Sequence, residues 1–439
     1  MSPQEENPSP PLRHPTGQTL HLGIIGLGYV GLPLALAFGR RHAVWAYDSN
    51  AERMAELASG HDSTRETSPE DFAQSTHLRL THTPEALREC NVFIIAVPTP
   101  VDAANRPDLQ PLLAATEQAA ELLRPGDYVI YESTVYPGVT ESLCAELLAR
   151  RSGLAFNRDF FVGYSPERVN PADRSRRLTD ICKITSGSTP VAAAFVDALY
   201  RDIVQAGTWP ASSIRVAEAA KLVENTQRDV NIALMNELAL VFNRLGLDTV
   251  EVLEAAGSKW NFMPFRPGLV GGHCVGVDAW YLAHVAQQAG VRAGLILTAR
   301  AINDGMAAHV AAQLALLMAK KGLSLAGSRV LVLGFTFKDS CPDIRNTRVF
   351  DLVQELATAQ ARVDVYDPWA DPAGVLQDYG LALLPDVPAA GTYDAIVVAV
   401  AHPEFAAWGA AHIHGFGKPA HLLYDLKSLL PAGASDGRL

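Results

Sequence analysis

The chain has 439 residues, 48% of them hydrophobic and 19% charged. At roughly 150 residues per domain this predicts about three domains with apolar material for a core in each, and it excludes an intrinsically disordered chain. The formal net charge of −11 argues against a general nucleic-acid binder, which needs a basic face, but leaves room for a local basic pocket.

Residues 1–18 are rich in Pro and polar side chains and read as a loose tail without the apolar core of a signal peptide; nothing further along is apolar enough to span a membrane. The pattern then predicts a strand over 20–26, a helix over 32–40 and a strand over 43–48, a βαβ unit. Further strands are expected at 92–97 and 128–131, with weaker candidates at 161–163 and 182–185. They are short, apolar on both faces and separated by helical patterns, the signature of a parallel sheet covered on both sides. Near residue 210 the texture changes. Residues 213–245 contain no Gly or Pro and read as one long helix, with Ser213 to cap its start and Gly246 to end it. Such a helix suits a spacer and a dimer surface. Helices over 249–256, 278–289 and 297–321 enclose a Gly/Pro-rich loop at 263–276. From 329 the α/β texture returns, with strands at 330–333, 363–367, 395–400 and 422–424 and a helix at 347–359. The expected fold is therefore α/β: two Rossmann-like, doubly wound parallel-sheet domains (19–208 and 326–439) joined by a long central helix and a helical middle domain (209–325).

Gly26-Leu27-Gly28-Tyr29-Val30-Gly31 fits GxGxxG between a strand and a helix, and Asp48 ends the next strand. Gly26 permits the tight turn, Gly28 lets a diphosphate approach the backbone, and Gly31 lets the helix lie close to the sheet. The helix start offers free N–H groups to phosphate. Asp48 suits ribose hydroxyls and would repel a 2′-phosphate, which favours NAD over NADP. The turns Pro98-Thr99-Pro100 and Glu132-Ser133-Thr134 follow strands and are either plain turns or walls of the same crevice. The corresponding turn of the second α/β domain, Gly334-Phe335-Thr336-Phe337, lacks the glycine spacing and should not hold a dinucleotide in the same way.

The five cysteines, Cys90, Cys144, Cys182, Cys274 and Cys341, are scattered with no CxxC, which points to a reducing cytoplasm and away from disulfides or a zinc site. Cys274 differs from the rest. It lies between glycines in Gly271-Gly272-His273-Cys274-Val275-Gly276-Val277-Asp278, where glycines would let a substrate reach the sulfur and a nearby helix start would stabilise a thiolate. The other four read as packing. Asp278 is a proton shuttle or a helix cap, and His273 reads as structural. Lys221 and Asn225 are one turn apart on the long helix and either stabilise an oxyanion or belong to a solvated face, where Glu218 and Glu224 read as ordinary solvated charge. Glu167 follows a strand and Pro166; it is a general base for water or an exposed Glu paired with Arg168.

These segments coincide with a known pattern. GLGYVGLPLA, VPTP, YESTVYPG, SPERVNP, EAAKLVENTQRDVNIALMNE, GGHCVGVD and GFTFKDSCPDIRNTR occur in the same order in the UDP-glucose/GDP-mannose dehydrogenase family, which the chain resembles from about Leu20 to its end. The stretch KWNFMPFRPGLVGGHCVGVD is most similar to bacterial UDP-N-acetylhexosamine 6-dehydrogenases of Vi-type capsule and O-antigen synthesis. UDP-glucose enzymes typically place a lysine before the aspartate that follows the cysteine; here Val277 precedes Asp278. The resemblance implies two successive oxidations of a sugar C6 alcohol by two NAD. Cys274 would carry a thiohemiacetal and then a thioester, which water hydrolyses to a uronic acid. It implies roles for Lys221 and Asn225 on the oxyanion, Glu167 and Asp278 on water, and Thr134 near the reacting centre. Cofactor contacts would come from Tyr29, Val30, Arg53, Pro98, Thr99 and Ser133 beside the glycines and Asp48. Substrate contacts would come from Glu167, Arg168, Val169, Lys221, Asn225, Arg266, Gly271, Lys338 and Arg345, with Arg266 serving a neighbouring subunit of a homodimer. Rival readings are a UDP-glucose or UDP-N-acetylmannosamine 6-dehydrogenase, a non-catalytic NAD and sugar-nucleotide binder, and a two-electron hydroxy-acid dehydrogenase of the 6-phosphogluconate type. The last two have no use for a nucleophilic cysteine.

Overall fold

The computed structural model describes residues 12–170, 173 and 175–439. They pack as two compact units, Met1–Val223 and Glu224–Leu439, and the border falls inside the helix Ile214–Leu245. Of the expected tail, residues 1–11 lie outside the described residues. Its end is not loose, because His14 is buried with its ring against Tyr128 and Phe195, at 5.4 and 5.7 Å between centroids.

The first unit is built on β1 (His21–Ile25), β2 (Ala43–Tyr47), β3 (Leu78–Thr81), β4 (Val92–Ile95), β5 (Tyr128–Tyr131), β6 (Phe161–Tyr164), β7 (Lys183–Gly187) and β8 (Thr208–Pro210). The sheet order is β3-β2-β1-β4-β5-β6-β7-β8, so the strand order reverses between β1 and β4, where such sheets bind ligands. The expected parallel sheet has one exception, the antiparallel pair β6–β7. β3 escapes the sequence reading because LRLT is short and half polar; it pairs with β2 from Val44↔Leu78 onward. Successive residues of β4 and β5 serve opposite cores. Ile94, Tyr128 and Ile130 pack with Phe38 and Phe195, while Phe93, Val129 and Tyr131 pack with Leu112 and Phe160. That two-sided burial is why VFII and YVIY carry no polar alternation.

In the second unit the long helix continues to Leu245, and Gly246 then takes the left-handed φ of +71°. At the other end of this helix, in the first unit, the Ser213 hydroxyl accepts from the Val216 N–H at 3.3 Å. The single helix expected over 297–321 is two, Gly294–Asp304 and Met306–Lys320, interrupted at Gly305. Glycine is the weakest ordinary helix former, and Asn303 and Asp304 just before it are tied to Asp229, Asn236, Arg300 and Arg348. The unit's sheet comprises β9 (Arg329–Leu333), β10 (Arg362–Tyr366), β11 (Tyr393–Val398), β12 (Gly417–Asp425) and β13 (Gly437–Arg438), all parallel in the order β10-β9-β11-β12-β13. Among the described residues no helix is long and apolar enough to cross a membrane.

The turn after β9 repeats the turn after β1. Gly26 and Gly334 have φ of +94° and +97°, and their N–H groups donate to Tyr47 and Tyr366 carbonyls at 2.9 and 2.8 Å. Asp48 accepts from the Leu27 N–H, and Asp367 accepts from the N–H groups of Phe335, Thr336, Trp369 and Ala370. Asp367 is closed off further by the fully buried His402, whose Nε2 lies 3.1 Å from Oδ2 and whose ring stacks on Trp369. Its carboxylate is thus consumed internally, by four backbone amides and a histidine. Burial would raise the Asp367 pKa, but His402 and the amides outweigh it and hold it to about 2. A depressed carboxyl stabilises the fold above its unfolded value near 3.8 and loses that contribution as pH falls toward 2. Asp367→Asn is expected to cost about 2 kcal/mol at pH 7, with the difference from the parent shrinking between pH 4 and 2, as read by urea unfolding.

Candidate active site

Each glycine of the first turn has a distinct surrounding. A Cβ on Gly26 would meet the Ala96 carbonyl at 2.8 Å, and one on Gly31 would overlap the Gly26 carbonyl at 1.7 Å. Gly28 is exposed and faces open space, where a ligand can meet bare backbone. Val30 precedes the helix Gly31–Gly39 and supplies no side-chain cap, which leaves that helix start open to an anion; Tyr29 beside it is half-buried. Asp48 lies at the end of β2, and its two oxygens accept from the Leu27 and Asn50 N–H groups at 2.8 Å. Arg53 buttresses the turn from behind. Its Nε donates to the Leu27 carbonyl at 3.0 Å, and its other nitrogens engage Asp62 and Glu56. Pro98 and Thr99 follow β4, and Ser133 and Thr134 follow β5, with the Ser133 hydroxyl donating to Val97 O at 2.7 Å. The expected cofactor residues therefore gather at the carboxyl ends of neighbouring strands around the reversal point.

Beneath these turns lies a buried cluster that the motifs did not single out. The Glu132 carboxylate, 1% exposed, is bonded by Lys183 Nζ at 2.5 Å and by the Tyr200 hydroxyl. Burial pushes Glu132 up to about 7, against the pull of Lys183. Lys183 also donates to the Pro166 carbonyl at 2.9 Å, so it supports the segment that presents Glu167. The sequence carries little signal for this cluster, since Lys183 opens a strand, KITSG, that is itself half polar. Glu167 is half-buried rather than exposed. One carboxylate oxygen accepts from the Val169 N–H, and the other is buried with no partner among the described residues. Arg168 donates to the Cys182 carbonyl at 2.7 Å. Glu218 is not solvated: it is fully buried and holds the N–H groups of Gly138 and Thr140 at 2.6 and 3.0 Å.

In the second unit Cys274 is the residue that caps the helix Val275–Gln288, which starts three residues earlier than expected. Asp278 is consequently inside the first turn, not at the cap. Its N–H donates to the Cys274 carbonyl at 2.9 Å, and its Oδ2 accepts from Asn225 Nδ2 at 2.6 Å. Asn225 and Asp278 are buried, and so is Lys221, one turn before Asn225 on the long helix; the solvated-face reading of that pair fails. Cys274 and Cys182 are half-exposed, whereas Cys90, Cys144 and Cys341 are buried, and burial pushes the Cys90 and Cys144 thiols up to about 12. His273 turns toward Asp343, with Nδ1 3.5 Å from its carboxylate. The glycines around the cysteine are filled by protein, not left open to a substrate. A Cβ on Gly271 would meet the Asn346 carbonyl at 2.4 Å, one on Gly272 the Phe337 ring at 2.7 Å, and one on Gly276 the Asn346 amide at 2.9 Å.

A cleft opens at the carboxyl ends of β9, β11 and β12. It is lined by Leu269, Gly271, Phe337, Lys338, Asp339, Thr347, Arg348, Val349, Ala399, Val400 and Lys427. Lys338 and Gly271 were expected near a substrate; Lys427 and Arg348 were missed, although each is a cation just beyond a strand or at a helix start. Arg345 lies in the same loop but is held by both oxygens of Asp343 at 2.8 Å. Arg266 lies apart from the cleft lining, half-exposed and 3.6 Å from Glu254.

Comparison with known proteins places these features. Residues 20–204, 215–305 and 331–432 match, in turn, the NAD binding domain, central domain and UDP binding domain of the UDP-glucose/GDP-mannose dehydrogenase family. The UDP-N-acetyl-D-glucosamine 6-dehydrogenase of Salmonella typhi is 54% identical, covering 95% of this chain and 98% of its own length. That of Pseudomonas aeruginosa is also 54% identical, covering 96% and 99%. A solved UDP-D-ManNAc dehydrogenase from Pyrococcus horikoshii superposes with a TM-score of 0.85 at 32% identity, covering 95% of this chain and 98% of that one. The chain belongs to the UDP-glucose/GDP-mannose dehydrogenase family and is an NAD-dependent nucleotide-sugar dehydrogenase.

Proposed function

We propose that the chain oxidises the C6 hydroxyl of a UDP-N-acetylhexosamine, UDP-N-acetylglucosamine first among them, to the uronic acid. The observation that carries this reading is 54% identity to two UDP-N-acetyl-D-glucosamine 6-dehydrogenases over nearly the whole chain, with Cys274 at a helix start beside Asp278 and Asn225. NAD supplies the two-electron acceptor for each of two oxidations. The turn at Gly26–Gly31, with Gly28 open and no side-chain cap from Val30 at the helix start, fits its diphosphate. The Cys274 sulfur adds to the intermediate aldehyde, and collapse of that adduct in the second oxidation leaves a thioester. The oxyanion of each tetrahedral state needs donors in a dry setting, which the buried Lys221 and Asn225 supply. Glu167 takes the proton that the attacking water loses, Asp278 orders that water and relays the proton to the leaving Cys274 sulfur, and Thr134 lies near the reacting alcohol. Lys338, Arg348 and Lys427, with Arg345 nearby and Arg266 from a neighbouring subunit, offset the diphosphate charge. Arg168 and Val169 hold the Glu167 segment against the sugar.

The long helix exposes Val216, Val223, Leu234, Val241 and Leu245, and these apolar side chains support a homodimer. Five cysteines, none in a disulfide among the described residues, suit the reducing cytoplasm.

The ratio of NADH formed to UDP-sugar consumed is expected to be about two, since each NAD takes one hydride; a ratio of one sinks the four-electron reading. UDP-N-acetylglucosamine should turn over well ahead of UDP-glucose, and equal rates would refute the N-acetyl assignment. Cys274→Ala should make no uronic acid, and Lys221→Ala should lower kcat by about 100-fold or more. Iodoacetamide followed by mass spectrometry should modify Cys274 and Cys182 and spare Cys90 and Cys144, whose raised thiols are buried. Val223→Glu with Leu234→Glu should halve the mass seen by light scattering if the helix is the dimer surface.

A further inference from the structure

Among the contacts between the cysteine loop and the loop after β9, Asn346 makes the two backbone-directed hydrogen bonds. Asn346 has a φ of +53°, a left-handed backbone that Asn accepts more readily than most side chains. In that conformation its carbonyl accepts from the Gly272 N–H at 3.0 Å, and its side-chain Nδ2 donates to the Gly272 carbonyl at 2.9 Å. Both polar groups of Gly272 are answered by a residue 74 positions away. The glycines near Cys274 are shaped to it: Gly271 leaves room for the Asn346 carbonyl and Gly276 for its amide nitrogen. On the other side of Asn346, Thr347 and Arg348 line the cleft, as does Gly271 itself. A second amide, Asn236, braces the loop four residues earlier, donating to the Gly268 carbonyl at 3.1 Å and accepting from its N–H at 2.8 Å. The stretch before the sulfur is therefore pinned at Gly268 to a helix and at Gly272 to the cleft wall.

The geometry points to Asn346 as a positioning residue that carries the state of the cleft to Cys274, so that a nucleoside diphosphate seated against residues 345–348 fixes the sulfur at the start of its helix. This rests on the reading of Cys274 as the nucleophile and of the cleft as the nucleotide site. A shift of about 1 Å in a reacting atom can cost on the order of a hundredfold in rate, so a two-point clamp two residues from the sulfur is a sensitive place.

Asn346→Asp keeps the shape and the tolerance for positive φ but sets a carboxylate against the Gly272 carbonyl. Gly276→Ala places a methyl where the Asn346 amide sits, and Asn346→Gly removes that conflict. The measurements are kcat, UDP affinity by calorimetry, and the iodoacetamide rate at Cys274 with and without UDP. The expected result for Asn346→Asp and Gly276→Ala is a kcat lower by about 10- to 100-fold with UDP affinity within about twofold of the parent. UDP should change the Cys274 rate in the parent and no longer do so in Asn346→Asp. The double variant Gly276→Ala with Asn346→Gly should be no slower than Asn346→Gly alone. The proposal is overturned by a kcat within about twofold of the parent, by UDP acting on Cys274 in Asn346→Asp as in the parent, or by UDP affinity and kcat falling together. Cys274→Ala separates the two levels: retained uronic-acid production refutes the nucleophile reading itself, whereas its loss upholds that reading whatever the Asn346 variants do.

Discussion

The helix Ile214–Leu245 buries polar side chains along much of its length, and that single constraint organises what packs around it. Glu218, Lys221, Asn225, Asp229 and Asn236 are all under 9% exposed. A polar group taken from water must find a partner, and an unpaired one costs a few kcal/mol. Glu218, Asn225, Asp229 and Asn236 each meet a polar partner. In the first unit Glu218 holds the Gly138 and Thr140 amides. In the second, Asn225 meets Asp278, Asp229 meets Arg300 and Asn303, and Asn236 holds Gly268. The segments so held include those that carry the cysteine and the loop before it.

The sheets were legible because their strands are apolar on both faces, and a run such as VFII admits few other readings. The GxGxxG turn was legible from its spacing between a strand and a helix, and two of its glycines, Gly26 and Gly31, have steric reasons in the packing. Around Cys274 the glycines do not have the cause expected of them: they make room for Asn346 and Phe337, not for a substrate. Glycines beside a sulfur look the same in a sequence whether they admit a substrate or a distant asparagine. Glu218 and Glu132 were missed for a related reason: burial of a carboxylate depends on amides and cations far away in the chain, which local pattern does not report. The break at Gly305 was overlooked because one glycine in a helical pattern is ordinarily tolerated, and the bonds of Asn303 and Asp304 that decide the matter are tertiary.

The two glycine-aspartate turns show how one local structure is turned to different ends. Both place a glycine at positive φ and aim backbone N–H groups at an aspartate at the end of the second strand. At Asp48 the surroundings stay open beside Gly28. At Asp367, His402 and Trp369 close over the carboxylate, so the same local structure is left open in one place and sealed in the other.

The cations near the cleft are not alone. Arg348 lies 2.8 Å from Asp304 and 2.9 Å from Asp351, Arg345 is gripped by Asp343, and Asp339 sits among the lining residues. With a chain charge of −11, attraction for an anionic sugar nucleotide is confined to contact range, while the field a Debye length away, about 8 Å at physiological ionic strength, is repulsive. Encounter and capture then respond oppositely to salt: added ions relax the distant repulsion before they weaken the local grip.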